Sequence, residues 1–156
     1  MMGCEQDEKI KALPAATQEG KNTFGCYVNN AIWLAEDEKV CVFCPLNVGA
    51  TYDTISGEVR IFAFRKKTDD SSEDISLYAK NVNAVGNFAL SIDINNSMTS
   101  YTKTPSNDKY LLANKGNLNI SKLDTVNRII SGTFSFEASN GNTILAITKG
   151  VFDAKY

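Results

Sequence analysis

The sequence of 156 residues contains no histidine. Histidine is the usual general base of Ser-His-Asp and Cys-His catalysis and a common ligand of catalytic metal ions. Its absence therefore excludes those enzyme classes. A phosphate-binding glycine loop is also missing, because GNTILAITKG at 141–150 has neither the required spacing nor a helix after it. We predict no cofactor, no metal site and no catalytic residue, and we expect that the protein is not an enzyme.

Long apolar runs and a strong charge bias are missing as well. No apolar run approaches the roughly 20 residues that a transmembrane helix needs. The 16 Lys and Arg residues nearly balance the 18 Asp and Glu residues, and no basic cluster could follow a nucleic-acid backbone. We therefore expect no nucleic-acid partner. With 43% hydrophobic and 22% charged residues, the chain can bury the core of one domain.

The N-terminal residues differ in composition from the rest. MMGCEQDEK places a Gly-Cys pair where a lipoprotein signal ends once its apolar part is gone, and a cytosolic protein with a chance cysteine fits equally well. Residues 5–22 are polar, with Pro14 and Gly20 as breakers, which favours a flexible tether over a helix. We predict an anchor cysteine and tether over 1–22 and one folded domain over 23–156.

Most of the remaining sequence alternates with the period of β-strands. TFGCYV and AIWLA flank Asn29 and Asn30, which suit the positive φ angles of a tight hairpin turn. KVCVFC at 39–44 predicts a third strand that ends at Pro45. GEVRIFAFRKK has apolar residues on both faces and predicts a central strand, and KKTDDSSED is typical of a solvated hairpin loop. DISLYAKNV and VGNFALSIDI predict further strands, whereas MTSYTKTPSNDKY predicts a long exposed connection.

The stretch from Lys122 to Phe136, KLDTVNRIISGTFSF, predicts a turn followed by a strand with one apolar face. The predicted inward residues are Ile130, Gly132, Phe134, Phe136 and Ala138, and the predicted solvent-facing residues are Ser131, Thr133, Ser135 and Glu137. Gly132 predicts a bulge or the close approach of another strand, and Gly150 predicts a bulge in a last strand after Asn140-Gly141. About eight or nine hairpin-connected strands predict an all-β fold, an antiparallel sandwich or a flattened barrel.

Three segments resemble a known family. LPAATQEGKNTFGCYVNN at 13–30, GNLNISKLDTVNRIISGTFSFEA at 116–138 and ITKGVFDAKY at 147–156 are similar to segments of small, functionally uncharacterised lipoproteins of Bacteroidota. The first two carry the patterns LPxATQxGxNTFGC and KLDTxNxIxSGTFSF. The chain departs from the family at four turn or bulge positions, Ala15, Asn30, Lys149 and Val151. No function follows from the resemblance, because the family has none assigned.

The resemblance implies where in the cell the protein is located. Such lipoproteins are cut before a cysteine that is then acylated, and Cys4 would be that residue here. Glu5, Asp7 and Glu8 resemble the signal that sends such proteins to the outer face of the outer membrane, although a polar tether is often acidic for solubility alone. The implied partner is therefore the outer membrane, contacted through acyl chains, with the domain periplasmic or exposed at the surface.

If Cys4 is acylated, three cysteines remain, enough for one disulfide and one thiol. Strand parity favours a disulfide between Cys26 and Cys44, whereas Cys41 lies on the opposite face. CVFC is also a C-x-x-C, but redox pairs place the first cysteine at a helix N-terminus, and this one lies in a predicted strand. A zinc site would need all four cysteines, and burial as small hydrophobic residues is the commonest interpretation.

Residue types alone leave three function classes open. We favour a non-enzymatic surface module that binds a glycan, a peptide or a protein through loops or aromatic side chains. A glycan hydrolase based on two carboxylates is the alternative, and a structural envelope protein is the third. The candidate aromatic residues are Trp33, Tyr52, Tyr78, Tyr101 and Tyr110, and the candidate carboxylates are Asp53, Glu58, Asp93, Glu137 and Asp153.

Overall fold

The structure, a computed structural model, describes residues 11–36, 46–92 and 98–156. These residues form β1 (Thr23–Val28), β2 (Ala31–Leu34), β3 (Val48–Asp53), β4 (Glu58–Lys66), β5 (Ser72–Ala79), β6 (Gly86–Ala89), β7 (Ser100–Thr104), β8 (Asp108–Asp124), β9 (Ile129–Ser139) and β10 (Ile144–Lys155). The predicted all-β fold is confirmed. The predicted strand at 39–44 lies outside the described residues. Across the described ranges, no helix is both long enough and apolar enough to cross a membrane.

All strand pairs are antiparallel and belong to one sheet, in the order β2-β1-β10-β9-β8-β7-β5-β4-β3, with β6 also paired to β8. The sheet folds over on itself. The ring of Tyr52 on β3 lies 5.5 Å from the ring of Tyr156, which follows β10, and Trp33 on β2 donates a hydrogen bond to Glu73 on β5. The strands therefore enclose one core, as a flattened sandwich or barrel does.

Aromatic residues fill the centre of that core. The ring of Phe24 lies 4.8 Å from the ring of Phe134 and 5.8 Å from the ring of Trp33, measured between centroids. All three side chains are almost completely buried. Burying one large apolar side chain contributes about 1.5–3 kcal/mol, so this cluster stabilises the packing between β1, β2 and β9.

The two hairpins that the sequence predicts most directly are confirmed. Asn29 and Asn30 have φ angles of 47° and 65° and join β1 to β2. The β8–β9 hairpin pairs Asp124 with Ile129, as KLDTVNRIISGTFSF predicts. Its register shifts between Ile120 and Lys122, opposite Gly132. A Cβ atom at Gly132 would lie 1.9 Å from the carbonyl oxygen of Asn119, so the predicted close approach of another strand is present.

Two predictions about the middle of the chain are wrong. Residues 98–110 are not a long exposed connection, because β7 and β8 form a hairpin there and Tyr101 is 2% exposed. Threonine and tyrosine suit strands, and here their alternation outweighed the loop-like composition. Strand β4 pairs with a strand on each side, but it lies next to the edge strand β3 rather than at the centre of the sheet. Only its inner face is covered, since Phe62 on the outer face is 45% exposed.

Candidate functional site

The candidate carboxylates that lie among the described residues accept hydrogen bonds from other groups of the chain. Asp53 accepts hydrogen bonds from the amides of Ile55 and Ser56, which lower the pKa of its carboxyl group. Glu58, its cross-strand neighbour, accepts a hydrogen bond from the Tyr78 hydroxyl at 2.9 Å. These contacts stabilise the β3–β4 hairpin and the neighbouring strand. The candidate carboxylate Asp93 lies outside the described residues.

Asp153 on β10 is the most highly coordinated of these carboxylates. It is 1% exposed and accepts hydrogen bonds from the hydroxyls of Thr17, at 2.6 Å, and Ser131, at 2.7 Å. The amides of residues 19–21 donate three more, at 2.8–3.2 Å. We call this arrangement the Asp153 clamp. It fixes residues 17–21, which the sequence assigned to the tether, against the domain.

The clamp explains two properties of its members. Burial alone would raise the pKa of Asp153, but the hydrogen bonds from Thr17, Ser131 and the backbone amides hold it at about 2. The prediction that Ser131 faces solvent is wrong, because residues 17–21 cover this part of the outer face and leave Ser131 0% exposed. With its donors all supplied by the chain itself, Asp153 has a structural role.

The candidate aromatic residues are packed by the chain itself: Trp33, Tyr101 and Tyr110 belong to the core, Tyr52 packs against it, and Tyr78 is buried on the outer face of β5. The exposed fractions of Trp33, Tyr78, Tyr101 and Tyr110 lie between 1% and 8%. Tyr52 packs edge-on against Tyr156 and donates its hydroxyl to the carbonyl of Val82 at 2.8 Å. None of these five rings presents an open face for stacking on a ligand.

A buried charged cluster around Glu73 was missed by sequence reasoning. Glu73 is 5% exposed and accepts hydrogen bonds from the indole Nε1 of Trp33, at 2.8 Å, and from Arg65. Its other oxygen lies 2.7 Å from the Lys67 ammonium nitrogen. Burial alone would raise the pKa of Glu73, but Lys67 and Arg65 hold it below its usual value. Lys67 and Glu73 belong to KKTDDSSED, which the sequence predicted as a solvated hairpin loop, and Arg65 lies immediately before it.

Cys26 also lies in the core and is 0% exposed. Burial raises the pKa of its thiol to about 12, against the opposing effect of Arg65, so the nucleophilic thiolate is suppressed. Cys44 and Cys4 lie outside the described residues. The disulfide between Cys26 and Cys44 and the acylation of Cys4 therefore stay predictions.

An open cleft of about 250 Å³ lies on the outer face of β4, β5 and β7. One cross-strand row runs from Phe62 through Ser76 to Ser100. Because the two serines are small, they form a floor between larger neighbours. Phe62 stands at one side with an exposed ring, which lies so close to Gly49 on β3 that a Cβ atom there would be 2.3 Å from the ring.

A second row, Asp74, Thr102 and Lys109, borders the same cleft. Asp74 is partly buried, and this burial raises the pKa of its carboxyl group, against the opposing effects of the Thr102 hydroxyl and the Lys109 ammonium group. We call the site formed by these two rows the Phe62 cleft. The two rows combine one exposed ring, one carboxylate, three hydroxyls and one cation, and Arg60 and Tyr78 also line the cleft. Such a set can bind a polar ligand with an apolar face.

Comparison with known protein families shows which family this chain belongs to. A domain of unknown function, DUF6252, matches residues 23–154. The chain belongs to the DUF6252 family. Its DUF6252 domain begins at β1 and contains the whole Phe62 cleft, whereas residues 17–21 of the Asp153 clamp precede it. No curated protein and no solved structure matches the chain.

Proposed function

We propose that this chain is a non-enzymatic binding module of a lipid-anchored protein, and that its Phe62 cleft holds one sugar residue of a glycan. The observation that supports the proposal is the exposed ring of Phe62 beside a serine floor and a polar rim. Large aromatic side chains are usually buried, so a 45% exposed phenylalanine in a cleft is informative.

The chemistry of the Phe62 cleft matches that of a sugar ring. One face of a pyranose carries C–H groups that pack on an aromatic ring, while its hydroxyls both donate and accept hydrogen bonds. Asp74 accepts such bonds, Lys109 donates them, and Thr102 can do both. A volume of about 250 Å³ suits a ligand smaller than the drug-sized molecules that occupy roughly 300–1,000 Å³.

The polar rim also supports binding rather than turnover. Asp74 lies on the outer face and Glu73 on the inner face of β5, so these adjacent carboxylates cannot act on one substrate. Glycoside hydrolysis in most families needs two carboxylates about 5–10 Å apart that flank the same bond. Within the described part of the Phe62 cleft, Asp74 is the one carboxylate at the rim.

Titration of the full chain with soluble monosaccharides and disaccharides, followed by amide NMR shifts, tests the Phe62 cleft. We expect saturable shifts at Phe62, Ser76 and Thr102, and a loss of affinity of at least tenfold in Phe62→Ala. Val126→Ala is the matched control, because Val126 is 87% exposed in the β8–β9 turn. Shifts that are absent from the cleft, or that are equally strong in Phe62→Ala, would contradict the proposal.

The proposed anchor has a separate test. The Gly-Cys pair at Cys4 and the resemblance to lipoproteins support it, and the Asp153 clamp offers a fixed point from which a tether can extend. We expect the intact mass of protein from its host's membrane fraction to include a diacylglycerol or larger adduct on Cys4. A gain of two hydrogens on reduction would show one disulfide, as the predicted Cys26–Cys44 pair requires. An unmodified chain would contradict the anchor and leave the binding test unaffected.

A further inference from the structure

A second polar surface lies on the outer face of β6, β8, β9 and β10. One cross-strand row runs from Asn87 through Asn119 to Thr133. The adjacent row pairs Asn117 with Ser135. We call these five side chains the amide grid. Strands lie about 4.8 Å apart and alternate residues of one strand about 6.8 Å apart, so the grid presents hydrogen-bonding groups at regular intervals.

Three adjoining hollows of about 470, 550 and 610 Å³ surround the amide grid. Ser135 lines all three hollows, and Asn117 lines two of them. A shift of register between Leu112 and Gly116 inserts extra residues into β8 and places Asn114 at the border of two hollows. The hollows therefore form one extended depression rather than three isolated sites.

The side chains of this depression are largely uncharged. Asn119 donates a hydrogen bond from Nδ2 to Oδ1 of Asn87 at 2.9 Å, which orients both amides. Glu137, at one end, accepts a hydrogen bond from Asn114 at 3.1 Å. The cations bordering the hollows are Lys115 and Lys149. This balance of charge favours neither a polyanion nor a polycation.

The floor between the polar groups is apolar. Ala89 lies beside Asn117 across the β6–β8 pair, and Ala146 lies beside Glu137 across the β9–β10 pair. Amides and hydroxyls that alternate with small apolar surfaces complement a chain of sugar rings, which alternate hydroxyl groups with C–H faces. An extended peptide would instead add its backbone to a free strand edge, whereas the grid side chains project from the face of the sheet, and four of the five come from β8 and β9, which are paired on both sides.

We propose that the amide grid binds an uncharged polysaccharide chain along the β6–β8–β9–β10 face. Four neighbouring strands span about 14 Å, enough for more than one sugar unit. This site is distinct from the Phe62 cleft, which lies over β4, β5 and β7, and it does not depend on ligand binding there.

Affinity electrophoresis of the full chain through gels containing a soluble neutral polysaccharide tests the amide grid. The probes are an α-glucan, a β-glucan, a mannan and a galactan, with a polyuronate as the charged comparison. We expect at least one neutral polymer to slow migration, and a fivefold or larger loss of affinity in the double variant Asn117→Ala, Ser135→Ala. Both side chains are exposed, so the variant should keep its thermal unfolding midpoint within about 2 °C.

Two single variants separate this proposal from the Phe62 cleft. Val126→Ala controls for substitution itself. Phe62→Ala measures the part of the retardation that depends on the Phe62 cleft, and the loss caused by Asn117→Ala, Ser135→Ala should be at least fivefold whether or not Phe62→Ala is also present. Retardation that Phe62→Ala abolishes and the double variant retains would overturn the amide grid while supporting the cleft. The absence of retardation by all four neutral polymers, or stronger retardation by the polyuronate, would also overturn it.

Discussion

At the scale of single residues, Asp153 shows that residue type does not determine role. A carboxylate is a candidate catalytic acid or base in any sequence, but here it is 1% exposed and accepts five hydrogen bonds from the chain itself. Such charge-assisted hydrogen bonds are stronger than neutral ones. The segment LPAATQEG is therefore explained as a structural partner of β10, through Thr17 and the amides that follow it.

Replacing Asp153 by Asn should destabilise the protein by about 2–4 kcal/mol, because an amide accepts fewer hydrogen bonds and places a donor against donors. Urea unfolding of Asp153→Asn and the wild type measures this difference. Asp108→Asn is the matched control and should stay within about 0.5 kcal/mol, since Asp108 is exposed. Equal losses in the two variants would contradict the clamp.

The same variant predicts a pH dependence. Because the folded-state pKa of Asp153 is about 2 and an unfolded aspartate titrates near ~3.9, its contribution is complete above the unfolded value and is lost as pH falls toward 2. The difference in unfolding free energy between wild type and Asp153→Asn should therefore shrink between about pH 5 and pH 2. A difference that is constant over this range would mean that the charge is not responsible.

At the scale of elements, the β8–β9 hairpin depends on a backbone approach that excludes every side chain at one position. Gly132 lies against the carbonyl of Asn119, where the register of β8 shifts. Bulges of this kind bend a strand and increase its twist. The extra residue lies in β8, while β9 keeps one alternation through Gly132 and places Phe134 and Phe136 on the inner face.

Gly132→Ala should destabilise the protein by about 3 kcal/mol or more, because the new Cβ would overlap the Asn119 carbonyl and force the strands apart. Gly141→Ala, in the β9–β10 turn, is the comparison. Its φ of 93° imposes a backbone cost of about 1 kcal/mol, but open space surrounds its Cβ position. Urea unfolding should rank Gly132→Ala well below Gly141→Ala in stability, and the reverse order would refute this account of the hairpin.

At the scale of the whole molecule, Glu73 links parts of the sheet that are far apart in strand order. Trp33 on edge strand β2 donates to Glu73 on β5, and Arg65 on β4 lies 5.2 Å from the centroid of the Trp33 ring. A buried carboxylate with these partners is costly to desolvate, but removing one partner leaves the others uncompensated. The cluster therefore fixes how the sheet folds over on itself.

Glu73→Ala should lower the free energy of unfolding by about 3–5 kcal/mol, because it leaves Arg65 and the Trp33 N–H buried without their acceptor. Trp33 is the only tryptophan of the sequence, so its fluorescence reports both unfolding and local exposure. The control Glu137→Ala removes an exposed carboxylate and should change stability by less than about 0.5 kcal/mol. Matching unfolding curves for the two variants would show that Glu73 does not stabilise the folded-over arrangement of the sheet.

The amino-acid sequence by itself determined the all-β class, the Asn29-Asn30 and Asp124–Ile129 hairpins and the close approach of another strand at Gly132. These features depend on side-chain alternation and turn residues within a few positions, which are visible in the chain. Tertiary structure alone decided the burial of Glu73 and Asp153 and the exposure of Phe62. Thr17 and Asp153 are 136 residues apart and Trp33 and Glu73 are 40 apart, so no local pattern contains both partners of either hydrogen bond. A polar residue is buried or exposed according to partners that only the folded sheet brings to it.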